Sequence, residues 1–128
     1  MLDNRKTALY CRTATYNDFV IKNQEERLRR FAKKNGYTNP ACYTDNGENG
    51  LTLDNPGMKR LIADIESGNV QTVIVIRVDR IARSYERLLE WKMLIEKYDV
   101  ECISVDESKL GFDSCFAMAD ARKALAAI

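Results

Sequence analysis

Gln71 to Ile76 (QTVIVI) constrains this chain more than any other segment. After Thr72 it is an unbroken run of β-branched apolar residues, with none of the alternation expected of a strand that has one face in water. Such a run reads as a central strand of a parallel sheet, covered on both faces. The rest of the chain must therefore supply helices for both sides.

It supplies them in alternation with shorter strands. Lys6 to Cys11 (KTALYC) is a β-type run. Asn17 or Asp18 can cap a helix reaching about Asn35, with Gly36 as its stop and Ile21, Leu28, Phe31 and Ala32 on one face. Ala41 to Thr44 is a second strand, and the turn-forming stretch Asp45 to Gly50 reads as a loop. Asp54-Asn55-Pro56-Gly57 reads as a helix start, with Met58, Leu61, Ile62 and Ile65 as the apolar face and Gly68 as the stop. Ser84 caps a third helix to about Tyr98, bearing Leu88, Trp91, Ile95 and Tyr98, and Val100 to Val105 is a fourth strand. Asp113 to Ile128 reads as an Ala-rich helix. The order β-α-β-α-β-α-β-α predicts a single three-layer α/β domain, its mainly parallel sheet of four to five strands flanked by helices. A chain of 128 residues is long enough to build that core without disulfides or metals.

Composition narrows the chemistry. The chain has no histidine, which removes every Ser-His or Cys-His nucleophile arrangement and the commonest metal ligand. Its four cysteines (Cys11, Cys42, Cys102 and Cys115) form no C-x-x-C pair and read as free thiols of a cytoplasmic protein. No apolar run approaches the roughly 18–20 residues that span a bilayer, and the N-terminus has no signal-peptide core, so no membrane association is expected. The loop Gly47 to Gly50 matches no nucleotide cradle, and the spacing of Asp45, Glu48 and Asp54 fits no EF-hand. No cofactor and no metal are expected.

In a parallel α/β sheet, sites gather beyond the carboxyl ends of the strands. Arg12-Thr13-Ala14-Thr15, the loop 45–50 and Arg77 to Ser84 fall there, bringing Arg12, Arg77, Arg80 and Arg83 to one edge with Asp79 among them. Arginine suits a phosphate, because its planar fork donates two hydrogen bonds and stays charged. The same residues could equally be solvated groups in local salt bridges. The net charge of +1 gives no bulk support for nucleic-acid binding, so the case rests on local clustering.

Together the three segments resemble the catalytic domain of the serine recombinases, the resolvase and invertase group. The family's Tyr-x-Arg-Val-Ser corresponds to Tyr10-Cys11-Arg12-Thr13-Ala14, its Asp-Arg-Pro-Gly to Asp54-Asn55-Pro56-Gly57, and its Asp-Arg-Leu-x-Arg to Asp79-Arg80-Ile81-Ala82-Arg83. Gln24-Glu25-Glu26-Arg27-Leu28 also looks like the family's first helix. The resemblance covers roughly residues 6–112. It implies site-specific DNA recombination in which a serine hydroxyl attacks a phosphodiester, forms a 5′-phosphoserine link and reseals within a tetramer, with neither metal nor nucleotide. Arg12, Arg80 and Arg83 would bind the scissile phosphate. Asp79 would orient an arginine or assist proton transfer. Gln24 matches a glutamine near the nucleophile, allowing one residue of offset.

Two departures stand out. The nucleophile position is Ala14, which has no hydroxyl, and the arginine of Asp-Arg-Pro-Gly is Asn55. Thr13 and Thr15 flank the gap as substitute nucleophiles, although an extended backbone would point both away from the Ala14 side. Three readings follow: an active recombinase, a recombinase-like domain that regulates or assembles on DNA without cleaving, and a flavodoxin-like domain binding a phosphorylated ligand or a protein. The resemblance implies a homodimer or tetramer assembled on DNA. It places most DNA recognition in a C-terminal domain absent from this chain, with residues 1–112 as the catalytic domain and 113–128 as the start of a dimerisation-type helix.

Overall fold

The computed structural model describes residues 5–107. Four strands, β1 (Lys6–Thr13), β2 (Pro40–Asn46), β3 (Val70–Val75) and β4 (Glu101–Ser104), form one sheet in the order β2-β1-β3-β4. Every neighbouring pair is parallel. Between the strands lie α1 (Asp18–Lys34), α2 (Pro56–Glu66) and α3 (Tyr85–Lys97). Short 3-10 turns cover Val78–Arg80 and Val105–Glu107. The α/β class and the parallel sheet agree with the sequence reading. The helix expected over 113–128 lies outside the described residues.

The packing around β3 shows why the run from Val73 to Ile76 is apolar without a break. Val73 and Val75 pack with Ala8 and Tyr10 against Met58, Leu61 and Ile65 of α2 and Trp91 and Ile95 of α3. Ile74 and Ile76 face the other way, with Leu9 and Cys11, against Ile21, Leu28 and Ala32 of α1. Successive side chains thus feed two separate cores, and the sheet is covered on both faces.

Two boundaries differ from the sequence reading. β1 runs on to Thr13, and β2 continues through Asp45 and Asn46, which composition assigned to a loop. The cause is pairing: Arg12 lies opposite Asp45 and Thr13 opposite Asn46, so the ladder with β1 outweighs the turn preference of those two residues. The cap of α2 also moves. Asn55 stands at the N-cap position but makes no side-chain capping bond. Asp45 does that work from β2, its carboxylate accepting the amide N–H of Gly57 (2.7 Å) and of Met58 (2.9 Å). The Tyr10 hydroxyl donates to the same carboxylate at 2.6 Å. The negative charge sits at the positive end of the helix, and Asp45 is buried with three donors around it. Gly57 makes this approach possible, because a Cβ there would lie 2.6 Å from the Thr44 carbonyl oxygen.

Replacing Asp45 with Ala leaves two helix-end N–H groups and the Tyr10 hydroxyl buried without their acceptor. We expect a loss of about 2 kcal/mol or more in urea-induced unfolding. Gly57→Ala is expected to cost about 1–3 kcal/mol in the same assay, since the first turn of α2 must back away from β2.

Burial pushes the Cys11 thiol up from its ordinary 9.0 to about 12 and the Cys42 thiol to about 11. Both hold their protons more tightly in the folded chain than in the unfolded one. Stability from this source is therefore complete below pH 9.0 and falls as pH rises through the folded values of about 11 and about 12. Alkaline unfolding curves should show that fall. Thiol labelling at pH 8, read by peptide mass spectrometry, should be slow at Cys11 until denaturant is added.

Candidate functional site

The strand order brings the ends of β1 and β3 together. β1 connects outward to β2 on one side, and the chain then crosses back over β1 to β3 on the other. This is the switch point at which parallel α/β sheets open a crevice. Arg12, at the end of β1, and the 3-10 turn after β3 meet there.

Arg12 does not project into solvent: it is 0% exposed. It continues the inward face of Ala8 and Tyr10, so the strand period points it toward the α2 and α3 side. Its guanidinium donates to three main-chain carbonyls, those of Arg80 (Nε, 2.9 Å), Asp79 (Nη2, 2.6 Å) and Glu48 (Nη1, 2.9 Å). Its own backbone is gripped in turn. The Gln24 side chain on α1 accepts from the Arg12 N–H at 3.3 Å and donates to the Arg12 carbonyl at 3.0 Å. Arg80 Nη1 donates to that same carbonyl at 3.2 Å. Arg12 and Arg80 therefore hold one another reciprocally, side chain to main chain. Burial lowers the Arg12 pKa, and the nearby charges of Arg80 and Arg83 act in the same direction.

The 3-10 turn presents the other cations. Asp79 sits between Arg77 Nε (4.0 Å) and Arg80 Nε (3.6 Å), and its Oδ1 is buried without a hydrogen-bond partner. The Arg83 side chain is exposed, while its backbone N–H donates to the Gly50 carbonyl at 2.7 Å. Gly50 lies so close that a Cβ there would be 2.7 Å from Arg12 Nη2 and 3.0 Å from Arg83 Cγ. The loop after β2 thus packs directly onto the two arginines. Asn55 is buried and fixes that loop, donating from Nδ2 to the Asn49 carbonyl at 2.8 Å.

Ala14 is exposed, one residue beyond β1. Thr13 is buried, and its hydroxyl donates to the Thr15 carbonyl at 2.9 Å. Thr15 is exposed. Residues 14 and 15 form a bend, so strand alternation stops at Thr13. Tyr10 lies beneath the edge, bonded to Asp45. The structure thus gathers Arg12, Ala14, Gln24, Asp79, Arg80 and Arg83 around one edge, with Tyr10 and Asn55 bracing it. Sequence reasoning missed Asp45, taken as a turn former, and Gly50. The register of β1 against β2 was the signal for Asp45. Nothing in the sequence marked Gly50 apart from other loop glycines.

Among the described residues, no three His, Cys, Asp or Glu side chains are placed to share a metal ion, and no helix is long and apolar enough to cross a membrane.

The comparisons with known proteins agree with this fold. The family model described as "Resolvase, N terminal domain" matches residues 7–128. The crystal structure of the N-terminal catalytic domain of TP901-1 integrase is 32% identical, with a TM-score of 0.77 over 94% of this chain and 98% of that one. A resolvase family site-specific recombinase from Streptococcus pneumoniae is 26% identical, with a TM-score of 0.76 over 95% of this chain and 85% of that one. The C-terminal catalytic domain of ISC1926 TnpA, an IS607-like serine recombinase, shares the fold at 22% identity and a TM-score of 0.70, over 78% of this chain and 67% of that one. No curated protein matches the chain. With the same α/β fold and a family match spanning residues 7–128, this chain belongs to the resolvase N-terminal domain family, the catalytic domain of the serine recombinases.

Proposed function

We propose that this domain binds a DNA phosphodiester at the arginine edge and carries the phosphoryl-transfer pocket of a site-specific recombinase from which the attacking group is missing. The observation that carries this reading is the exposed Ala14, two residues beyond Arg12 and its reciprocal bonds with Arg80. A cluster of cations held in place stabilises charge on a phosphate without reorganising as the reaction proceeds. Arg80 and Arg83 contact the phosphate, Arg12 holds the Arg80 turn from beneath, and Asp79 orients Arg80. A methyl group cannot attack phosphorus, so the family's phosphoserine link does not form at position 14. The Thr13 hydroxyl is a poor replacement, being buried and bonded to Thr15. Thr15 is exposed but lies past the bend.

The test is covalent trapping by the full-length protein on supercoiled DNA carrying its target site. The protein with Ala14 should give no detergent-resistant adduct, and Ala14→Ser should give one. An adduct from the unaltered protein that disappears on changing Thr15 to Val would overturn this reading in favour of a displaced nucleophile. In the Ala14→Ser background, Arg80→Ala and Arg83→Ala should each lower the cleavage rate by about 100-fold or more. DNA affinity of the full-length protein should fall steeply with salt, whereas a slope near zero would favour a small phosphorylated ligand or a protein instead.

A further inference from the structure

Five large apolar side chains stand exposed among the described residues: Tyr16, Phe19, Val20, Leu51 and Met93. Four of them belong to the segments that follow β1 and β2 at the arginine edge, and only Met93 lies elsewhere, on α3. Tyr16 is 68% exposed and Phe19 77% exposed, and neither belongs to either core.

Their mounting is firm. Asn46 at the end of β2 accepts from the Asn17 N–H at 2.8 Å and donates to the Asp18 carboxylate at 2.9 Å. Asn17 in turn caps α1 by accepting from the Val20 N–H at 3.2 Å. Tyr16 packs against Gly47, where an added Cβ would lie 3.2 Å from Tyr16 Cβ, and Gly47 has a φ of +83° that disfavours any side chain. The Tyr16 hydroxyl reaches the Asp18 carboxylate at 3.4 Å. Two aromatic rings are thus carried in water on a braced support, two and five residues beyond Ala14. The loop whose Gly47 packs on Tyr16 also carries Gly50, which lies against Arg12 and the exposed Arg83, and Arg12 in turn holds the Arg80 turn. Aromatic faces and cations mounted on the same strand-end loops suit an unpaired nucleic-acid strand, because bases stack on the rings while arginines follow the backbone. An apolar protein surface would cover the rings but leave those cations without a counter-charge.

We propose that Tyr16 and Phe19 form a stacking platform for unpaired bases of the DNA strand whose phosphate lies at the arginine edge. This rests on the reading given under Proposed function. It adds to it that the strand is engaged with its bases out of the duplex stack.

The experiment uses the full chain and a short single-stranded oligonucleotide containing 2-aminopurine. Anisotropy reads binding, and quenching of 2-aminopurine reads stacking. The unaltered chain should bind and quench. Tyr16→Ala and Phe19→Ala should each weaken binding by about 5- to 150-fold and relieve the quenching. Tyr16→Phe should retain both effects, and Phe19→Leu should restore neither. Both positions are exposed, and circular dichroism would verify that each variant is folded. Binding that stays within twofold in both alanine variants, with 2-aminopurine unquenched throughout, overturns the platform and leaves DNA binding at the arginine edge standing. No binding even at low salt overturns the platform together with the DNA reading. Unchanged oligonucleotide affinity with loss of self-association in light scattering assigns the rings to a second copy of the chain.

Discussion

The buried guanidinium of Arg12 is the interaction on which this end of the molecule depends. A cation taken out of water is tolerable only if its donors are met, and here they are met by carbonyl oxygens from the β2–α2 loop and the β3–α3 turn. No carboxylate takes part in those bonds. The charge is solvated by peptide dipoles, which are available only if both connections adopt one conformation. Arg12 therefore acts as a template for two loops, which also meet directly where the Arg83 N–H donates to the Gly50 carbonyl. The Gln24 amide, reaching from α1 on the opposite face of the sheet, ties the third layer into the same assembly.

A second buried polar network lies one strand away. Asp45, paired in register with Arg12, turns its carboxylate to the start of α2 and to Tyr10 rather than to the guanidinium. The two opposite charges are each satisfied separately, so each orders a different element. Asp45 sets where α2 begins, and Arg12 sets where the arginine turn sits. Asn55 joins the two by pinning the loop between them. The departure from arginine at position 55 therefore has a structural counterpart: the side chain present is short enough to be buried and to hold the loop it belongs to.

Much of the fold was legible in the sequence. The β-branched run of β3, the apolar stripes of the three helices, and the stops at Gly36 and Gly68 all reflect local chemistry. The strand-end location of the site followed from the alternating order. What was not legible came from pairing between strands. Asp45 and Asn46 look like a turn until β1 is placed beside them, and Asp45 looks like a loop acid until α2 is laid against β2. Arg12 was the subtler case. Its place two residues beyond Tyr10 already implied an inward direction, but an arginine at a strand end reads as solvent-facing when the carbonyls that receive it come from residues 36 to 68 positions further along the chain.

The placement of Trp91 has an optical consequence. It is the only tryptophan in the chain, it is fully buried, and it belongs to the core between the sheet and the α2 and α3 layer. Tryptophan emission, excited selectively over the six tyrosines, is therefore a one-sided reporter. It registers loosening of the α2 and α3 face and is blind to fraying of α1, whose departure must be followed through the backbone signal instead.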